Sequence, residues 1–213
     1  MTRRPWVVGV SGASGTPYAR TVISALLDAG ESLDVVVSRA ARLTLLDEVG
    51  VSLRDNAWRT DLASWLDRDP ASLDAVTYWS AGDLAAGPAS GSYPTRGMVV
   101  VPASTAAVAG IALGLSKDLL QRAADVTLKE GRPLVVVPRE TPMTRSTLQH
   151  LLALHDARAT VLPASPGFYA APLSVQQLVD FVAAKILDSI GVEHDLIARW
   201  TGHLGAARAD GGT

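Results

Sequence analysis

The 213-residue chain contains no cysteine. This excludes thiol nucleophiles, thiolate metal sites and disulfides, and it fits a cytoplasmic protein. Net charge is almost absent, because 19 basic against 21 acidic side chains leave −2 at pH 7. No long-range field therefore draws the chain to nucleic acid or to an anionic membrane. No apolar run approaches the ~18–20 residues of a membrane span. The opening Met1-Thr2-Arg3-Arg4-Pro5 runs straight into an apolar segment, so no signal peptide is expected. His150, His155, His194 and His203 match no metal-ligand spacing with a nearby carboxylate, and no metal site is expected. No internal repeat is visible.

What the chain does have is 48% hydrophobic and 19% charged residues, enough for a sizeable core. Its first loop, Gly9-Val10-Ser11-Gly12-Ala13-Ser14-Gly15-Thr16-Pro17, follows the apolar run Trp6-Val7-Val8 and leads into a helix from Tyr18 to Ala29. Pro17 suits a first helical turn, where its missing N–H costs nothing. A strand, a small-residue loop and a helix start form a phosphate cradle of backbone N–H groups favoured by the helix dipole. Ser11 and Ser14 stand where a dinucleotide fingerprint has its second and third glycines, and a Walker lysine is missing. The two hydroxyls suggest hydrogen bonds to a phosphate or a polar ring edge. A tight turn without a ligand is the alternative.

Further strands are expected at Leu33–Val37, Ala75–Trp79, Met98–Val101, Leu134–Val137 and Thr160–Leu162. Helices are expected from Ser38 to about Glu48, around Trp58–Trp65, after Pro102 to about Leu113, at Asp118–Glu130, Thr144–Asp156 and Val175–Ile190. Residues 80–96 read as a long loop. The alternation predicts an α/β fold, a three-layer, doubly wound, mostly parallel sheet spanning residues 1–204, with a frayed tail over 205–213. In such sheets ligands sit beyond the carboxyl ends of the strands. There the loops GVSGASG, VSRAA, VPAST and VPRET would converge, offering hydroxyls, N–H groups, arginines and a carboxylate.

Glu140, beside Arg139 at a strand end, reads as an acid/base carboxylate next to a phosphate-binding guanidinium, or as half of a surface ion pair. Arg122, Asp125 and Lys129 share a helix face and form either a solvated ladder or a basic face offered across a subunit boundary. Glu48 ends its helix against the dipole, which suggests another purpose. Tyr169, next to Phe168 in a proline-rich loop, could serve as a substrate lid. Ser38-Arg39 replaces the acidic group that would hold a ribose at the end of the second strand, which argues against FAD and NAD.

The segments GVSGASG, VVSRAA, PASGSYPTRGMVVVPAST, RAADVTLKEGRPLVVVPRETP and LPASPGFYAAPLSVQQLVDFVAAKILDSIGV closely resemble flavin prenyltransferases of the UbiX type. The match runs in order from about Val7 to Trp200. The resemblance implies a Rossmann-like flavoprotein fold and a metal-independent transfer of a dimethylallyl group from dimethylallyl phosphate to N5 and C6 of reduced FMN. The product, prenylated FMN, would serve a UbiD-type decarboxylase. The resemblance further implies a homo-dodecamer with its sites between subunits. By position it assigns FMN contacts to Gly12, Ala13, Ser14, Ser38, Ser104, Thr105, Ala106, Ala107 and Arg139, with Ser90 and Arg122 near the flavin or phosphate. Lys129, Arg139, Glu140, Tyr169 and Lys185 would hold dimethylallyl phosphate, and Glu48, Glu140 and Ser14 would take part in the chemistry. Lys185 stands where some relatives have arginine, and Leu84 where a close relative has tryptophan. An FMN-dependent decarboxylase of the cysteine-decarboxylase group is the alternative, but its Pro-x-Met-Asn loop is replaced here by Pro-Ala-Ser-Pro-Gly-Phe-Tyr. A non-catalytic flavin-binding protein is the other.

Overall fold

The computed structural model describes residues 4–168 and 172–199; Tyr169, His203 and the expected tail lie outside them. Its strands are β1 (Trp6–Val10), β2 (Leu33–Val37), β3 (Val76–Ser80), β4 (Gly97–Ala103), β5 (Leu134–Pro138) and β6 (Thr160–Val161). Its helices are α1 (Thr16–Asp28), α2 (Arg39–Val49), α3 (Trp58–Leu66), α4 (Thr105–Ala112), α5 (Leu119–Lys129), α6 (Arg145–Asp156) and α7 (Val175–Ser189). No helix among the described residues is long and apolar enough to cross a membrane.

The strands lie in the order β3-β2-β1-β4-β5-β6, and every pair is parallel. The chain starts in the middle of the sheet, winds outward through β2 and β3, then returns to β4 and winds the other way. Right-handed crossovers therefore put α1, α2 and α3 on one face and α4, α5 and α6 on the other. Helix α7 comes back to pack on α1. With both faces covered, β1, β2, β4 and β5 are buried at every residue, which is why they read as near-continuous apolar runs, broken in β2 by the buried Asp34. Successive side chains still divide: Trp6, Val8 and Val10 enter the core under α1 and α7, and Val7 enters the core under α4 and α5.

The strand order reverses between β1 and β4, and one buried side chain joins their ends. Ser11 Oγ donates to the Pro102 carbonyl at 2.8 Å and accepts from the Ser104 N–H at 2.7 Å. Its own N–H also reaches Pro102 O, at 3.2 Å. Next to this point three residues of β4 face two of β5, because Val100 pairs with Val136 but Ala103 with Pro138. That bulge turns the end of β4 toward the first loop.

Helix α3 is tied to the linker before it by an ion pair. Arg54 donates its backbone N–H and Nε to Asp61 Oδ2, both at 2.9 Å, and Nη2 to Oδ1 at 2.6 Å. The Arg54 hydrogen bonds and charge, partly opposed by burial, hold the Asp61 carboxyl below its ordinary range. A depressed carboxyl stabilises the fold above its unfolded value, about 4, and that contribution is lost as pH falls through the folded one. Asp61→Asn is expected to flatten the acid decline of stability below about pH 4, measured by urea unfolding across pH; an unchanged acid decline contradicts this. Ser11→Ala takes the partner from the Ser104 N–H and one of two donors from the Pro102 carbonyl, and is expected to lower unfolding free energy by about 1–3 kcal/mol. A urea midpoint equal to that of the parent protein contradicts it.

Candidate functional site

The carboxyl edge of the sheet gathers four loops around the reversal point. The first approaches α2 closely: a Cβ on Gly12 would stand 2.4 Å from the Ala40 Cβ and 3.0 Å from its carbonyl carbon, so only glycine fits. Gly15 has φ 110°, a left-handed conformation that lets the loop turn into α1. Ala13 is buried and Ser14 is exposed at the tip. Ser38 follows β2, caps α2 by accepting from the Ala41 N–H at 3.1 Å, and donates its own N–H to Val10 O at 2.9 Å. Ser104 likewise caps α4, accepting from Ala107 N at 3.2 Å. Thr105 and Ala106 at that amino end remain accessible, above the buried Ala107.

Arg139, one residue past β5, spans these loops. Its N–H reaches Ala103 O at 3.3 Å and its Nε donates to Ser14 O at 3.1 Å. Among the described residues its two terminal amino groups have no protein partner. Burial raises Tyr18 from its ordinary value, with the nearby Arg139 charge opposing this. Glu140 is exposed and accepts from the Thr141 N–H at 2.9 Å. Arg139 and Glu140 do not pair with each other, so the surface ion pair is not formed and both stay available.

Glu48 behaves differently from its sequence context. Its carboxylate, at the end of α2, reaches the amino end of α1, a favourable pole for an anion. It accepts from Gly15 N at 2.9 Å, from Thr16 N at 2.9 Å and from Thr16 Oγ1 at 2.7 Å. Desolvation pushes its pKa up, but these bonds and one from the Ser14 side chain outweigh it and hold the carboxyl below its ordinary value. Two N–H groups of the phosphate cradle expected from sequence are thus already taken. The Ser11 hydroxyl, expected from sequence to face a ligand, is also engaged, in the bridge between β1 and β4.

The remaining candidates lie elsewhere in the chain. Helix α5 begins beside the end of β3, where Leu119 N donates to Ala81 O at 2.8 Å, and runs back toward the amino-terminal edge. Lys129, in its last turn, pairs with Glu130 and lies against Gly91. Arg122 pairs with Asp125 at 2.8 Å and holds Ala89 O at 3.1 Å, so the expected ladder stops before Lys129. Ser90 is exposed, 2.9 Å from Ser92. Lys185 projects from α7 with its ammonium 3.5 Å from Asp188, which also binds Arg199 and His194. Leu84 and Phe168 are exposed. One chain therefore brings together Gly12–Ser14, Ser38, Glu48, Ser104–Ala107, Arg139 and Glu140, and leaves Ser90, Arg122, Lys129 and Lys185 outside that cluster. A cleft of about 400 Å³ between α1 and residues 193–196 contains none of these side chains.

Sequence reasoning missed the tasks of Ser11 and Thr16. A threonine at the first position of a helix and a serine in a glycine-rich loop are both common, and their bonds depend on distant segments. It also missed the pairing of Lys185, whose only local sign was Asp188 three residues on.

A Flavoprotein family model matches residues 1–187. The flavin prenyltransferase UbiX of Streptomyces coelicolor is 65% identical over 215 residues, covering 97% of this chain and 100% of that protein. The crystal structure of AnUbiX (PadA1) in complex with FMN and dimethylallyl pyrophosphate is 32% identical, with a TM-score of 0.82 over 95% of this chain and 100% of that one. A dodecameric FMN-dependent UbiX-like decarboxylase from Escherichia coli O157:H7 is 36% identical, with a TM-score of 0.81 over 93% of this chain and 100% of that one. The chain belongs to the Flavoprotein family and, within it, to the UbiX flavin prenyltransferases.

Proposed function

We propose that this protein joins the dimethylallyl group of dimethylallyl phosphate to N5 and C6 of reduced FMN, releasing phosphate and supplying prenylated FMN to a UbiD-type decarboxylase. The observation that carries the reading is Arg139. Its Nε is anchored on the first loop at the sheet's reversal point, its terminal amino groups are unpaired among the described residues, and an exposed carboxylate, Glu140, follows it.

The residues present suit FMN. The glycine-only approach of Gly12 to α2, the capped amino ends of α2 at Ser38 and of α4 at Ser104, and the accessible Thr105 and Ala106 form a polar, small-residue rim. Gly12, Ala13, Ser14, Ser38, Ser104–Ala107 and Arg139 would hold FMN there. Reduced flavin supplies the nucleophilic ring atoms; the chain's part is to hold two reactants stacked and dry. Arg139, with Lys129, Tyr169 and Lys185, would neutralise the departing phosphate. Glu140 and Glu48, the latter through Ser14, would carry the protons that ring closure releases.

Lys129, Lys185, Ser90 and Arg122 would reach this edge from neighbouring copies, in a homo-oligomer that we read as a dodecamer. Exposed apolar residues support association: Leu43, Leu46 and Val49 follow one another at helical spacing on α2, and Leu148 and Leu152 on α6. The unit is read as one flavin-binding domain over residues 1–204, working in the cytoplasm, where a cysteine-free chain is at no disadvantage.

Anaerobic incubation with reduced FMN and either dimethylallyl phosphate or dimethylallyl pyrophosphate tests the reading. The flavin is expected to gain the mass of one prenyl unit, and bound FMN of unchanged mass with both donors overturns it. Lys185→Ala is expected to raise half-saturation for dimethylallyl phosphate about tenfold, the effect of losing one half-exposed charge-assisted contact of about 1.4 kcal/mol, and to leave FMN affinity unchanged. Lys185→Arg is expected to be tolerated, because a guanidinium can grip two phosphate oxygens. Steady-state kinetics decide; an alanine variant with the parent's dependence on the donor returns Lys185 to solvent.

A further inference from the structure

Thr16 has no part in the function above, yet it is wholly buried at the start of α1 and keeps a hydroxyl there. A buried hydroxyl needs a partner, since leaving one unmatched is costly. Its partner is Glu48: Thr16 Oγ1 donates to Oε2 at 2.7 Å, and the Thr16 N–H reaches the same oxygen at 2.9 Å. Gly15 N bonds the carboxylate from the same side, at 2.9 Å to Oε1 and 3.2 Å to Oε2. The group is therefore held by both oxygens on three donors of one helix start, 32 and 33 residues away in sequence.

Without those donors Glu48 has little to hold it. It is exposed, at the end of a helix whose own dipole disfavours a carboxylate, and Gly50 turns the chain away two residues later with φ 68°. The two backbone donors belong to any sequence at these positions, and the Ser14 hydroxyl belongs to the proposed reaction machinery. The Thr16 hydroxyl is the one donor that is a choice of side chain and has no other task.

We propose that Thr16 is a positioning residue for prenyl transfer, fixing the Glu48 carboxylate in one orientation beside Ser14 and keeping it a proton acceptor. The proposal rests on the role assigned to Glu48 above. The ionisable groups on the two helices that carry the pair are Tyr18, Arg20 and Asp28 on α1 and Arg39, Arg42 and Asp47 on α2, and Arg139 lies past β5. Arg20 pairs with Asp67, Asp28 with Arg68, Arg42 with Asp55 and Tyr78, and Arg139 Nε with the Ser14 carbonyl. Among the described residues none of these groups donates a hydrogen bond to Glu48, so its ionisation follows the donors of the first loop. Removing one donor to an anion favours the protonated form, so the midpoint moves up.

Thr16→Val keeps the shape and removes the hydroxyl, Thr16→Ser keeps the hydroxyl, and Thr16→Ala replaces the valine variant should that one not fold. In substrate-free protein labelled with ¹³C-glutamate, the Glu48 carboxylate band is followed by infrared difference titration and assigned by its loss in Glu48→Gln. The valine variant is expected to titrate about one pH unit higher, a tenfold change in ionisation constant. The acid limb of its turnover profile is expected to move by the same amount, with half-saturation for both substrates within about twofold of the parent, and serine is expected to restore both. A Glu48 band that titrates as in the parent overturns the proposal. A shifted band with an unmoved acid limb overturns the kinetic part and with it the role of Glu48, while prenyl transfer itself is judged by the separate mass assay. A turnover loss that serine does not restore also overturns it, because the hydroxyl would then not be the cause.

Discussion

The hydroxyl of Ser11 sits where the sheet reverses its winding, and its two hydrogen bonds join segments 91 and 93 residues apart. A doubly wound sheet must part its loops at that point, since the connections after β1 and β4 leave toward opposite faces. The parting makes the crevice, and it leaves backbone groups at the end of β4 beyond the reach of a regular ladder. The small hydroxyl of the first loop donates to one of them, the Pro102 carbonyl, accepts from another, the Ser104 N–H, and so ties the two loops together. The Ser14 tip, the amino end of α4 and the anchored Arg139 are all positioned relative to that joint.

Charge at the edge is separated by the same geometry. Glu48 lies behind the first loop, against the amino end of α1, and Arg139 lies across its front, bonded to the Ser14 carbonyl. A carboxylate and a guanidinium that paired directly would neutralise each other and leave neither for a substrate. Holding each by backbone groups of one loop keeps an anion and a cation within reach of a single small site. The exposed Glu140 adds a second carboxylate on the cationic side.

Much of this was legible in the chain. The apolar runs of β1, β4 and β5 follow from burial on both faces, and the helix starts read at Ser38, Asp118 and Thr144 are reproduced, each with its own side chain as the cap. The loops GVSGASG, VSRAA, VPAST and VPRET, expected at one edge, do meet there, because a parallel sheet puts every strand's carboxyl end on the same side. The expected mostly parallel sheet is parallel throughout. Sequence could not show that Lys129 stands toward the opposite edge, because that depends on the direction in which α5 crosses its face.

The amino-acid sequence by itself determined the α/β class, the position of the first loop and the residue types at the strand ends, since period, capping and glycine placement are local properties. It also carried the family resemblance, in motifs that stay contiguous along the chain. Only the tertiary structure decided what those side chains bond to. It turned Ser11 from a ligand contact into a joint, moved Glu48 from the unfavourable end of its own helix to the favourable end of another, and gave Thr16 a partner. The physical reason is that a hydrogen bond is a matter of a few tenths of an ångström between atoms, and for segments more than 30 residues apart that distance is set by packing.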